Sequence, residues 1–306
     1  MGKGTGKEMN YARCLTIDLK EVEFPMKTIL EILKLSTEYL ISRGIDNARR
    51  EAEELLASAL SCTRVCLYME FDRPLTEEEL ATCRSHIVRR ARGEPRQYIM
   101  GEVDFMGCTI KVSPDVLIPR QETEILAHII AKKLSKMDLQ GKVLWDLCCG
   151  SGCLGISLKK AFPQLNVFLS DISPAALAVA RANALLNEVD VACLEGDLCT
   201  PFTNQAHFVV SNPPYIAESE FHDLEREVRE FEPKIALVGG KRGIEFYERL
   251  AATLPPRLIS KGEVWLEIGA TQHTLLTNVF TNPPWKKSFI EKDWAGHDRF
   301  FFLEIE

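Results

Sequence analysis

Val143-Leu144-Trp145-Asp146-Leu147-Cys148-Cys149-Gly150-Ser151-Gly152-Cys153-Leu154-Gly155 is the stretch whose reading decides the fold. Val143 to Leu147 is an apolar run of strand length, a glycine-rich turn follows it, and a helical pattern continues to Phe162. Gly150-x-Gly152-x-x-Gly155 between a strand and a helix is the spacing of a nucleotide-binding turn, because glycine lets the backbone approach a ligand closely. Taken literally it is a dinucleotide fingerprint, so an NAD-dependent enzyme is one reading. Asp146, inside the strand, is a residue that such a turn has no need of.

Downstream, strand and helix alternate. Asn166 to Ser170 is a second strand ending beside Asp171, and Ser173-Pro174 supplies an N-cap with proline in the first helical turn. Strands near Val189 to Leu194 and His207 to Ser211 follow, then a long segment to Gly243, a helix from Ile244 and a strand over Glu263 to Ile268. This order predicts an α/β domain with a doubly wound, mostly parallel, seven-stranded Rossmann-like sheet. The final strands, Lys286 to Glu291 and Arg299 to Ile305, have no helix between them, so the last is expected to run antiparallel.

Upstream the pattern is helical. Met26 to Arg43 carries Ile29, Leu33 and Leu40 on one face and stops at Gly44. Asp46 is placed to cap a helix with Ala52, Leu55 and Leu56 inward, and Thr76-x-x-Glu79 is a capping box ahead of Leu80, Cys83 and Ile87. Gly101, Phe105 and Gly107 with the alternating Thr109 to Val112 predict a hairpin. Ile118 to Glu124 then reads as a loop leading into a helix that ends near Gln140-Gly141. The expected organisation is a flexible leader (1–25), a helical recognition domain (26–97), a β-hairpin linker (98–118) and the large α/β domain (119–306).

Composition narrows the function classes. With 37 basic and 44 acidic residues the net charge is −7, which argues against a partner held mainly through nucleic-acid phosphates. Ten cysteines without an export signal point to free thiols in a reducing cytoplasm. Cys148, Cys149 and Cys153 crowd one loop but lack a second pair at zinc-like spacing, so no metal is expected. No apolar run approaches the length of a membrane span. Gly2 to Lys7 resembles a phosphate loop but has the wrong spacing and no strand before it.

The candidate chemistry gathers at strand ends. Asp171 is placed to bind ribose hydroxyls and Asp197 to hold an adenine amine. Asn212-Pro213-Pro214-Tyr215 directly follows the apolar run Phe208 to Val210. Two prolines hold a turn open with free carbonyls, so a planar –NH2 group can donate to the Asn212 side chain and the Pro213 carbonyl while lying on Tyr215. Asn282-Pro283-Pro284-Trp285 repeats the pattern with no apolar strand feeding it and reads as a connecting turn.

Asp146, the glycine turn, Asp171, Asp197 and Asn212 in this order resemble the class I methyltransferases that use S-adenosylmethionine. A narrower resemblance rests on Gly101-x-x-x-Phe105-x-Gly107, Val116 to Arg120 with Glu122-Thr123-Glu124, Asn212 to Tyr215, Phe231-Glu232-Pro233, Gly239-Gly240, Glu267-Ile268-Gly269 and Gly296-x-Asp298-Arg299. Running from about Met26 to the C-terminus, these are similar to the peptide chain release factor glutamine methyltransferases. That resemblance implies methyl transfer from S-adenosylmethionine to N5 of the glutamine in a release factor's Gly-Gly-Gln motif, modulating translation termination. It implies a cofactor site of Asp146, Cys148, Cys149, Gly150, Ser151, Gly152, Asp171, Asp197, Leu198 and Asn212. Asn212 and Pro213 would accept the amide hydrogens, with Tyr215 on the amide plane and Pro214 and Phe105 completing the substrate pocket. The family usually has glycine where Cys148 stands and proline where Gln121 stands. The rival readings are a DNA adenine-N6 methyltransferase and a methyltransferase of a ribosomal protein's glutamine.

Overall fold

Two capping boxes open N-terminal helices, Thr28 with Glu31 and Thr76 with Glu79. A computed structural model describes residues 27–306, so the expected leader and the Gly2 to Lys7 run lie outside the described residues. Helices α1 (Ile29–Ser42), α2 (Ala48–Ala59), α3 (Arg64–Met69), α4 (Glu77–Ala91) and α5 (Arg96–Met100) enclose one apolar core that includes Leu33, Leu40, Leu55, Leu56, Leu80 and Ile87. Asp46 does not cap α2. Asn47 takes that position in the left-handed region at φ 50, which its short polar side chain tolerates, and makes no side-chain capping bond.

Strands β1 (Glu102–Phe105) and β2 (Cys108–Lys111) form the expected hairpin. Phe105 faces Cys108, so only Met106 and Gly107 make the turn, and both have positive φ, 48 and 72. Helix α6 spans Gln121–Leu134. Gln121 to Glu124 is therefore its first turn and not a loop, and it ends well before Gln140. The Met106 N–H donates to Glu124 Oε1 at 2.8 Å, tying the hairpin to α6.

The large domain continues with β3 (Val143–Leu147), α7 (Cys153–Ala161), β4 (Asn166–Asp171), α8 (Pro174–Leu186), β5 (Ala192–Glu195), β6 (Ala206–Ser211), β7 (Ile216–Ala217), α9 (Arg226–Phe231), β8 (Val238–Gly240), α10 (Glu245–Thr253), β9 (Leu258–Glu267), α11 (His273–Val279), β10 (Trp285–Lys292) and β11 (Asp298–Ile305). Seven of these strands form one sheet in the order β10-β11-β9-β6-β3-β4-β5. The five from β9 to β5 are parallel, and β11 runs antiparallel to both its neighbours. The segment after Ser211 is not a bare loop, because β7 and β8 pair in a small parallel sheet with α9 between them in sequence.

Period-two alternation divides the core. Leu144, Phe208 and Val210 face α6, α7 and α8, while Trp145, Val209 and Leu266 face α10 and α11. Trp145 stacks on Phe202 with centroids 4.0 Å apart, and Phe208 on Trp265 at 5.2 Å. From β3 the chain steps outward to β4 and β5, then returns to β6 on the other side of β3. The carboxyl ends of β3 and β6 thus frame the switch point, where open α/β sheets bind ligands. Pairing of Asp146 with Val210 and Leu147 with Ser211 sets the glycine-rich loop after Leu147 beside the start of the Asn212 turn, with Asp146 two residues deeper in the sheet.

Candidate active site

A cavity opens at that switch point, and Asp146, Cys148, Cys149, Gly150, Ser151, Asp171, Asp197, Leu198 and Asn212 all line it. The structure brings together every cofactor candidate except Gly152, which packs behind the loop. Gly152 caps α7 at φ 78, and a Cβ there would press on Ile156 and Leu169 at 2.9 and 3.1 Å. Gly155 allows α7 to lie against β4, since an added Cβ would overlap Leu169. Cys148 adopts φ 55, the left-handed region in which glycine is the unstrained residue. Its thiol is pushed upward by burial, with Asp171 adding to the effect.

The acids hold the loop and face the cavity. Asp146 is 1% exposed, and its Oδ2 accepts the Gly155 N–H at 2.9 Å while buried Oδ1 has no partner among the described residues. Burial raises its pKa to about 7, against the Gly155 bond, and Asp171 adds to the rise. Asp171 accepts from the Gly150 N–H through Oδ2 and from the Ser173 N–H through Oδ1, both at 2.9 Å. Burial also raises its pKa, opposed by those backbone bonds. The Gly150 amide, which a pyrophosphate would need, is therefore already taken by a carboxylate. That argues against a dinucleotide. Asp197 pairs with Arg249, itself on the cavity wall.

A second cavity is lined by Leu117, Arg120, Asn212, Tyr215, Ile216, Leu224, Val228, Ala236, Leu237 and Glu267. Asn212, Leu117 and Ala236 line both cavities, so the two meet at the asparagine. Burial pushes the Tyr215 hydroxyl up to about 12. Pro214 lines the first cavity. Pro213 is buried and lines neither, but its carbonyl accepts no hydrogen bond among the described residues. Gly239 backs the turn at a distance no side chain permits, since a Cβ would overlap the Pro214 carbonyl. Gln272 pins it from below, donating to the Tyr215 carbonyl at 2.7 Å and the Gly243 carbonyl at 3.0 Å.

Phe105 is not a wall of either cavity. It is 2% exposed and belongs to the core with Tyr98, Cys108 and Ile110, where a hairpin aromatic gains most from burial. Arg120 pairs with Glu232. Neither cavity is lined by a histidine. Among the described residues no group of three or more His, Cys, Asp or Glu is arranged to hold a metal ion, and no helix is long and apolar enough to cross a membrane.

Comparison with known proteins decides the family. Over 275 residues the chain is 43% identical to the release factor glutamine methyltransferase of Chlamydia trachomatis serovar D, covering 90% of this chain and 93% of that one. This chain belongs to the release factor glutamine methyltransferases. The Geobacter sulfurreducens member is 40% identical over 89% of this chain and 95% of its own. Family models match in both halves, the PrmC N-terminal domain over residues 31–101 and the methyltransferase small domain over 118–228. The fold alone is shared with the hMettl16 catalytic domain, solved with an RNA hairpin, at 15% identity and TM-score 0.51, covering 72% of this chain and 81% of that one.

Sequence reasoning passed over several residues of this methyltransferase site. Thr123 and Glu267 are buried and polar, at 3% and 1% exposure, and both line the cavities. The available signal was a polar side chain where the apolar period required a core residue, in α6 and at the end of Val264-Trp265-Leu266. The helical region touches α9, whose Val228 lines the second cavity, without lining that cavity itself. Arg90 of α4 pairs with Glu227 of α9 at 2.8 Å, next to Val228 on the cavity wall.

Proposed function

We propose that this family member transfers a methyl group from S-adenosylmethionine to the side-chain amide nitrogen of a glutamine in a peptide chain release factor. The observation that carries this is the meeting of an acid-lined cavity and a tyrosine-walled cavity at Asn212, the one amide side chain that they share. A nucleophile held in the second is thereby presented to an electrophile held in the first.

The residues of the acid-lined cavity fit a sulfonium cofactor. Asp146 Oδ1 is a buried acceptor without a partner, which a cationic ammonium group satisfies. Asp171 retains lone pairs for hydroxyls, and Asp197 and Leu198, which line the same cavity, would take the adenine. S-adenosylmethionine supplies the electrophilic methyl.

A carboxamide nitrogen is a poor nucleophile because its lone pair is delocalised into the carbonyl. Asn212 Oδ1 and the Pro213 carbonyl take its two hydrogens, and Tyr215 packs on the amide plane. This directs the nitrogen at the methyl and stabilises positive charge as it develops there. The N–CH3 bond forms as the S–CH3 bond breaks, its electron pair stays on sulfur, and the acidified amide proton leaves to water. No base is needed, in keeping with cavities that hold no histidine.

The helical region serves substrate selection, because recognition of a side-chain amide alone cannot tell one protein's glutamine from another's. The test is incubation with labelled S-adenosylmethionine and an intact release factor, a ribosomal protein or adenine-containing DNA, followed by mapping of the label. Label on a release-factor glutamine is expected. Label on adenine alone would overturn the reading, and saturable NAD binding without S-adenosylmethionine binding would return the chain to the dehydrogenases.

A further inference from the structure

A carboxamide can present either of two opposite faces, and only one suits the role given to Asn212. Presenting oxygen, it accepts a hydrogen from the substrate –NH2; presenting nitrogen, it sets donor against donor. The structure contains a device that selects between them. Asn212 Nδ2 donates to Thr123 Oγ1 at 3.1 Å, and Thr123 Oγ1 donates to Glu267 Oε2 at 2.7 Å. Three elements meet here, the first turn of α6, the last residue of β9 and the residue after β6.

The direction of this chain follows from counting protons. A hydroxyl has one hydrogen, and an ionised carboxylate can only accept. Thr123 therefore gives its hydrogen to Glu267 and has only lone pairs left for Asn212. The –NH2 end of Asn212 must face Thr123, which leaves Oδ1 as the end turned to the cavities. Burial of Thr123 and Glu267 removes water as a competing donor.

We infer that Thr123 and Glu267 are positioning residues that fix the polarity of the Asn212 carboxamide, so that its acceptor end meets the substrate amide. This rests on the reading of Asn212 as that acceptor. Neither residue touches the reacting atoms.

A pH dependence follows. Once Glu267 is protonated it can itself donate to Thr123, whose hydrogen is then free to point at Asn212 and admit the flipped amide. The groups facing Glu267 are Arg120 and Glu122 at the start of α6, Arg299 on β11, Tyr215 after β6, Tyr247 on α10 and Cys153 on α7. Burial raises the Glu267 pKa to about 7, Glu122 adds to it, and the Thr123 bond and the two arginines oppose it. Turnover at saturating S-adenosylmethionine should therefore fall as pH drops through neutrality.

The experiment compares the full chain with Thr123→Val, Thr123→Ser, Glu267→Gln and Asn212→Ala, using an intact release factor as acceptor and calorimetry for S-adenosylmethionine. Thr123→Val should lower kcat by at least about tenfold with S-adenosylmethionine affinity within about threefold. Thr123→Ser, which restores the hydroxyl, should return kcat to within about threefold of the parent. Glu267→Gln should flatten the acid limb of kcat. Unchanged kcat in Thr123→Val beside an inactive Asn212→Ala overturns the relay and leaves the role of Asn212 standing. Full turnover in Asn212→Ala overturns both. If Thr123→Val does not fold, persistence of the acid limb in Glu267→Gln is sufficient to overturn the relay.

Discussion

The chain carries the same turn twice, and only one copy stands at the site. Asn212-Pro213-Pro214-Tyr215 ends the central strand β6 at the switch point, with Asn212 on two cavities and the Pro213 carbonyl free of partners among the described residues. Asn282-Pro283-Pro284-Trp285 joins α11 to the edge strand β10, and its asparagine is exposed. There the Pro284 carbonyl accepts the Glu306 N–H at 3.0 Å, and Trp285 packs edge-on against Phe280 in the core. The second turn commits its aromatic ring and the carbonyl equivalent to that of Pro214 to folding, and its asparagine lines neither cavity. A tetrapeptide becomes a site through the strand that delivers it and the neighbours that orient it.

The sharpest break in this comparison is also the largest expected effect. Asn212→Ala removes an acceptor aimed at developing charge, and turnover should fall on the order of 10²-fold or more with cofactor affinity little changed. Asn282→Ala should stay within about twofold of the parent. Parent-like turnover in the first variant, or an equal loss in both, would erase the distinction between the turns.

Asp146 supplies the next effect, on the cofactor side of Asn212. Asp146→Asn keeps an acceptor for the Gly155 N–H but removes the charge meant for an ammonium group, so affinity for S-adenosylmethionine should drop by about tenfold or more. Stability should move the other way. A carboxyl whose folded pKa is raised to about 7 gives stability that is complete below its unfolded value and lost as pH rises through the folded one. Above neutrality the unliganded variant should therefore melt higher than the parent, and the two should converge near pH 4. The parent's affinity should itself weaken as pH falls below about 7. A variant that binds normally and melts lower would show Asp146 to be only a loop brace.

Much of this contrast was legible before any coordinates. Val143 to Leu147 was read to the residue because a parallel strand buried on both faces is a continuous apolar run. Asp146, Asp171 and Asn212 converge because strand ends in an alternating βα chain must lie at one edge of the sheet. The stretch from Ser211 to Gly243 was opaque, since strands of two and three residues carry no period. Phe105 could not be assigned from sequence, as a lone hairpin aromatic reads equally well as wall or core. Thr123 and Glu267 escaped for another reason: their bond joins residues 144 positions apart, and only the fold creates it.

What backs the first turn can be tested next. A Cβ at Gly239 would overlap the Pro214 carbonyl, a backbone atom that cannot step aside. Gly239→Ala should push the turn toward the cavities, lowering turnover several-fold and the melting temperature by an amount matching about 1–3 kcal/mol of overpacking. Kinetics and melting of the same preparation check this. An unperturbed variant would mean that the turn is held by Gln272 alone.

The smallest effect is expected at Cys148, a non-glycine residue in the left-handed region. At φ 55 a side chain costs about 1–2 kcal/mol, which Cys148→Gly would relieve. Glycine also frees the unfolded chain by about 0.5–1 kcal/mol and forfeits the buried thiol's packing, so the terms nearly cancel. Melting temperature should change by no more than about two degrees. Cys148 lines the first cavity, but the acids proposed to hold the ligand lie on either side of it in sequence. Affinity for S-adenosylmethionine should accordingly stay within about threefold. Tightening by an order of magnitude on Cys148→Gly would show that the Cβ intrudes on the cofactor, and that this chain tolerates a weaker site than the glycine loop allows.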